Sequence, residues 1–183
     1  MLDKWRLTAV LLMVCGGQVG AQSPHAAESK VTSVAAVDLA RYAGQWFEVA
    51  AFPMFFQRNC VGDTTANYAL ALDGSVKVTN RCRTQDGVDE ATGRATVVEG
   101  SANSRLKVSF FWPFKADYWV IGLDADYRWA LVGNPNRKYL WLLSRTPQLP
   151  QPLLDVALAS ARAQGFDLSQ LRYTPQDAAV VAK

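Results

Sequence analysis

Tyr42-Ala43-Gly44-Gln45-Trp46-Phe47-Glu48-Val49 and Tyr139-Leu140-Trp141-Leu142-Leu143-Ser144-Arg145-Thr146-Pro147 decide the fold of this chain. In the first stretch, Trp46 stands where an alternating, strand-like pattern begins. In the second, Arg145 closes the last strand-like run before a helical pattern. Between them lie short alternating runs separated by turn signals, with no convincing helix. Such a series closes into an antiparallel up-and-down barrel whose first and last strands meet. A barrel of that size can hold one small ligand.

Working outward, the spacing predicts strands over 45–52, 64–72, 75–82, 93–99, 106–111, 118–123, 127–132 and 138–144. Asp73-Gly74, the polar segment 85–91, Asp124-Ala125-Asp126 and Asn134-Pro135-Asn136 supply turns between them. Alternation puts Ala66, Tyr68, Leu70 and Leu72 on the inner face, opposite Val76, Val78 and Asn80. Facing those sets pairs Tyr68 with Asn80 and Leu70 with Val78 across a three-residue turn, and sets Cys82 opposite Ala66. Leu106, Val108 and Phe110 share one face. Trp141 shares its face with Leu143 and Arg145 and also points inward. After Pro150 the apolar period becomes helical over 152–164, which predicts a helix packed outside a barrel already lined. A short strand over 171–173 follows.

Connections of such a barrel alternate between its two ends. Trp46, Asp124, Asp126, Tyr127 and Arg145 therefore gather at one end, where an arginine over an indole face contributes about 2 kcal/mol when shielded from water. That cluster, with Gly44, is read as a structural plug. The other end carries Phe52, Met54, Phe55, Phe56, Trp112 and Phe114, a mouth that fits a lid, a membrane-touching edge or a homodimer contact. Glu48 is an inward polar residue suited to a ligand headgroup or to a neighbouring arginine.

At 183 residues, the chain is one domain plus processing segments. Lys4 and Arg6 precede the apolar run 7–15, and Val19-Gly20-Ala21 offers a cleavage site, so residues 1–21 read as a signal peptide. The apolar run is too short to remain as a spanning helix. Cys15 offers a second outcome, cleavage before a cysteine that then carries lipid. Residues 22–36 read as a solvated linker, 37–174 as the barrel domain and 175–183 as a tail. Losing Lys4, Arg6 and Asp3 takes the net charge from +3 to +2, which does not suggest nucleic-acid binding. It also leaves two cysteines, Cys60 and Cys82, in a compartment where a disulfide persists. His25 is the sole histidine and lies in the linker, so no histidine-based triad or zinc site can form, and neither an enzyme nor a metal or other cofactor is expected.

Gly44-x-Trp46, Asp124-x-Asp126-Tyr127 and Arg145 resemble the three lipocalin motifs, in order and at barrel-compatible spacing. Leu106-Lys-Val-Ser-Phe-Phe-Trp-Pro-Phe114 and the 139–147 run are similar to the bacterial outer-membrane lipocalins, which resemble apolipoprotein D. The resemblance covers about 37–174. It implies a calyx that binds a fatty acid or lysophospholipid in the periplasm or at the outer membrane. It also implies that Tyr68, Asn80 and Trp141 line the pocket, with Leu70, Val78, Phe110, Phe52 and Glu48 as further candidates. Other apolar ligands (pigment, porphyrin, quinone) and a lipocalin-type enzyme are the alternatives. The pair Cys60 and Cys82 departs from the bridges of apolipoprotein D, because no cysteine follows Cys82.

Overall fold

A computed structural model of the protein describes residues 30–177. The expected signal peptide, Cys15, His25 and residues 178–183 lie outside the described residues. The described chain starts along the outer wall, where Val31 is buried and Val34 N–H donates to Val120 O at 2.8 Å. Residues 30–36 are thus packed against the barrel, where a free linker was expected, because Val31 finds an apolar site beside the helix-side core.

Helix α1 (Leu39–Tyr42) is a single turn, and Asp38 caps it by accepting from the Ala40 and Arg41 N–H groups. Eight strands follow: β1 (Gly44–Ala51), β2 (Gly62–Leu70), β3 (Val76–Arg83), β4 (Val88–Val97), β5 (Arg105–Ser109), β6 (Ala116–Leu123), β7 (Trp129–Gly133) and β8 (Leu140–Ser144). Each pairs antiparallel with the next, and β1 pairs with both β2 and β8, so the barrel closes as expected. Helix α2 (Gln151–Ala163) packs outside through Ala157, Leu158 and Ala161. Strand β9 (Arg172–Tyr173) adds to the edge of β1.

Two apolar clusters result. One fills the barrel around Trp46, Tyr68, Val78, Val108, Val120 and Val132. The other lies between the wall and α2 and includes Phe52, Ile121, Trp129, Leu142, Ala161 and Phe166. Strand alternation feeds both: odd and even positions of β7 serve opposite faces, and the whole strand is buried.

The register of the first hairpin differs from the expected one by two residues. Tyr68 pairs with Val78, Ala66 with Asn80 and Leu70 with Val76. The turn has the expected three residues, but it is Leu72-Asp73-Gly74, closed by Ala71 N–H to Ser75 O at 2.8 Å. Gly74 has φ +79, and a left-handed glycine belongs at the third loop position, which shifts the turn by one residue. A two-residue slip preserves faces, so Tyr68 and Val78 still point inward. Leu72, expected inward, is fully exposed in the turn, and Leu70 is half exposed at the strand end. Cys82 faces a bulge at Asp63 and Thr64, between the Arg81–Thr65 and Arg83–Gly62 pairs, instead of facing Ala66. The disulfide to Cys60 forms there, with Cα atoms 5.6 Å apart.

Strand β1 carries the other decisive irregularity. Glu48 pairs with Leu143 but Ala50 with Leu142, so Val49 is an extra residue. The bulge reverses alternation beyond it. Phe52, expected at the ligand pocket, consequently turns outward and packs against Phe166, with ring centroids 6.2 Å apart.

Strand β4 starts at Val88, earlier than expected. The preceding turn is only Thr84 to Gly87, and the polar residues 89–90 belong to the strand, Glu90 pairing with Arg81 at 3.5 Å. Strand β7 starts at Trp129 because Tyr127, at φ 60, belongs to the turn.

Candidate functional site

The two ends of the barrel differ completely. At the closed end Trp46 is fully buried, and its indole N–H donates to Tyr42 O at 2.8 Å. The Arg145 guanidinium lies 3.8 Å above that ring and donates to Gln45 O at 2.8 Å and to Arg41 O at 2.5 Å. Asp124 holds its own turn, accepting from the N–H groups of Asp126 and Arg128 and from the Arg128 side chain. Burial opposes its ionisation, but these donors win and hold its carboxyl below the usual range. Tyr127 O–H accepts from Asp38 N–H at 2.9 Å, and Arg41 stacks on its ring at 4.1 Å. The turn is thereby tied to α1. Gly44, Trp46, Asp124, Asp126, Tyr127 and Arg145 are brought together as expected, with Asp126 at the exposed margin of the turn.

Above this plug sits a feature that the sequence reading did not single out. The Tyr118 hydroxyl lies 2.8 Å from those of both Tyr42 and Tyr68, forming a buried chain of three phenols. Burial pushes the Tyr68 phenol up to about 12 and raises the other two as well, so all three stay protonated at neutral pH. Tyr118 shares the inner face of β6 with Val120, and that alternation is the signal that could have found it.

The open half is lined by side chains that point inward yet keep partial solvent exposure: Asn80, Phe110, Tyr118 and Trp141. Trp141 stacks on Tyr139 at 5.9 Å. Phe110 covers Gly93, where a Cβ would come within 2.8 Å of its ring. Neither the Asn80 amide nor the Trp141 indole N–H has a hydrogen-bond partner among the described residues. Of the other candidates, Val78 is buried deeper in the barrel, Leu70 sits half exposed at the closed-end rim, and Phe52 belongs to the helix-side core.

Among the described residues Glu48 forms no ion pair with an arginine. Its carboxylate accepts from Gln57 Nε2 at 2.9 Å and from Thr174 Oγ1 at 2.6 Å. Burial pushes its carboxyl up, and those two donors oppose the shift. It floors a cleft of about 480 Å³ between the 53–61 loop and the β9 segment, with Ala51 and Thr64 beside it. Strands β1 and β2 pair only as far as Phe47 and Thr65; beyond that, Gln176 Nε2 bridges the gap by donating to Glu48 O and Thr64 O at 2.9 and 3.0 Å. Residues 175–177, expected as tail, thus serve as part of the wall. Among the described residues no cluster of three His, Cys, Asp or Glu could hold a metal ion. Both described cysteines are tied in the disulfide.

Comparison with known proteins agrees with this geometry. The chain is 38% identical over 173 residues to the outer membrane lipoprotein Blc of Vibrio cholerae, covering 93% of this chain and 95% of the relative. It is 30% identical over 146 residues to apolipoprotein D of Macaca fascicularis, covering 75% and 76% of the two chains. Its fold matches the solved structure of insecticyanin from the tobacco hornworm Manduca sexta, with a TM-score of 0.67 at 20% identity over 81% of this chain and 86% of that one. The model of the lipocalin-like domain matches residues 37–176, so the chain belongs to the lipocalin-like family.

Proposed function

We propose that this protein is a carrier of a single-chain lipid, a fatty acid or lysophospholipid, exported to the cell envelope and working in the periplasm or at the outer membrane. The observation that carries the reading is the open half of the barrel. An amide and an indole N–H, from Asn80 and Trp141, face an apolar interior without protein partners, while the other end is sealed. Both groups are half-buried, and a lipid that shields them from water would supply a partner with its polar end. The relative from Vibrio cholerae is named an outer membrane lipoprotein, which supports the location and the reading of Cys15 as an acylated anchor.

The energetics suit reversible carriage. At about 0.8 kcal/mol per buried methylene, a sixteen-carbon chain gives on the order of 12 kcal/mol gross. Association and ordering costs of several kcal/mol leave sub-micromolar to micromolar binding. Among the described residues both cysteines are tied in the disulfide and no histidine is present, which favours carriage over catalysis.

Native mass spectrometry of the protein purified from its own envelope, with solvent extraction, tests the reading. One fatty acid or lysophospholipid per chain, lost in Trp141→Asp while the fold is kept, supports it. A barrel that is empty and refuses both lipids when they are added overturns it. The same spectrum reports an acyl adduct on Cys15 or an N-terminus at Gln22.

A further inference from the structure

The open end of the barrel displays five large aromatic side chains to solvent. Phe55 is 76% exposed, Phe56 54%, Phe111 78%, Trp112 90% and Phe114 76%. They occupy two connections only, β1–β2 and β5–β6, which lie at the same end. An exposed apolar patch of this kind marks a contact surface.

The charges divide along the same axis. Connections at the mouth carry Arg58, Lys115, Arg137 and Lys138 against a single acidic residue, Asp86. Connections at the closed end carry Asp73, Glu99, Asp124 and Asp126 with Arg128, and the plug adds Asp38, Arg41 and Arg145. The barrel is thus basic and aromatic at the mouth and mixed in charge at the plug. The described chain also enters beside the mouth, where Thr32 N–H donates to Gln164 Oε1 at 2.8 Å and Gln164 O accepts from Arg137 Nε at 2.8 Å.

From this polarity we infer that the mouth is a docking face for an anionic phospholipid surface, on which the barrel stands mouth-down. Aromatic rings settle at the headgroup level of a bilayer, and cationic side chains are drawn to anionic headgroups. A second copy is a poorer occupant, since mouth-to-mouth pairing sets four basic residues against the same four. Among the described residues the plug end is mixed in charge and exposes no Phe or Trp, which leaves the mouth as the docking face. Docking of this kind goes beyond lipid carriage and stands whether or not the barrel holds a lipid.

The test uses the exported chain with Cys15→Ser, so that no acyl group contributes. It is mixed with vesicles of phosphatidylethanolamine containing phosphatidylglycerol, or of phosphatidylcholine alone. Flotation and the emission of Trp112 are the readouts. The expected result is co-flotation with anionic vesicles only, weakening with salt, together with a blue shift that Trp112→Phe removes. Lys115→Gln with Lys138→Gln weakens partition about 30-fold. Trp112→Ser with Phe114→Ser abolishes it, while Glu99→Gln at the plug leaves it intact. Equal partition to both vesicle types, or full partition in the double-glutamine variant, overturns the inference. So does a folded barrel that ignores anionic vesicles, or a concentration-dependent dimer that shields Trp112 without lipid.

Discussion

Replacing Arg145 with Met should cost the barrel about 3–4 kcal/mol while leaving its ligand affinity unchanged. The guanidinium sits 3.8 Å above a fully buried Trp46 ring but is itself partly exposed, so the cation–π contact contributes about 1–2 kcal/mol. The same group donates to the carbonyls of Gln45 and Arg41. Hydrogen bonds from a charged donor contribute about 1.5–3 kcal/mol each, and the partial exposure of Arg145 discounts these to about 1 kcal/mol apiece. For a domain of this size, the loss lowers Tm by about 10 °C. Urea denaturation of wild type, R145M, W46L and the double variant isolates the contact. A coupling of about 1–2 kcal/mol between the two sites is expected. Additivity within about 0.5 kcal/mol would refute the contact, and weakened lipid binding in folded R145M would refute its assignment to a plug remote from the mouth.

Reduction of Cys60–Cys82, or the paired Ser substitutions, should cost about 3 kcal/mol by loop entropy, read as a lower urea midpoint with a somewhat steeper slope, because the freed unfolded chain exposes more surface. Gly93→Ala drives a methyl to within 2.8 Å of both the Phe110 ring and Ser109 O. The ring can move but the carbonyl cannot, so about 1–3 kcal/mol is lost and binding weakens; unchanged lipid affinity would place Phe110 outside the pocket. Glu48 has a carboxyl raised by burial in the native state, so between its unfolded and folded pKa values only the native state holds the proton. Stability therefore falls as pH rises through that window, by at most about 1.4 kcal/mol per unit, and Glu48→Gln removes that slope. A wild-type slope retained in E48Q would assign the pH dependence to another group.

Much of this architecture is legible in the chain. Alternation in β2, β3 and β5 places Tyr68, Val78, Asn80, Val108 and Phe110 on the inner face, and the parity of connections predicts that Trp46, Asp124 and Arg145 meet. Errors arose where backbone geometry, not side-chain type, carries the information. The first hairpin slipped because Asp73-Gly74 announces a turn without stating which loop position its left-handed glycine takes. Strand β4 was shortened because Asp89 and Glu90, at an open rim, have no buried face to impose alternation. The contributions of Gln57, Thr174 and Gln176 around Glu48 are long-range, and no local pattern encodes them.

The bulge at Val49 shows how one such hidden feature shapes the site. Without it, Phe52 would continue the inward series of Trp46 and Glu48 and fill the space beside Trp141. With it, the ring moves to the helix-side core and meets Phe166. The inner position opposite Trp141 then falls to Ala51, whose side chain is a single methyl. Past the same point β1 no longer pairs with β2, and a cleft opens whose floor is Glu48 and whose closure depends on side chains from the 53–61 loop and the C-terminal segment. A single inserted residue thus removes a phenylalanine from the interior, close to where β1 exchanges β2 for β9 as its partner. Deleting Val49 should return Phe52 to the interior, leaving the barrel better packed and less able to admit a lipid. Binding that persists at wild-type affinity in a folded deletion variant would mean that the bulge serves α2 alone.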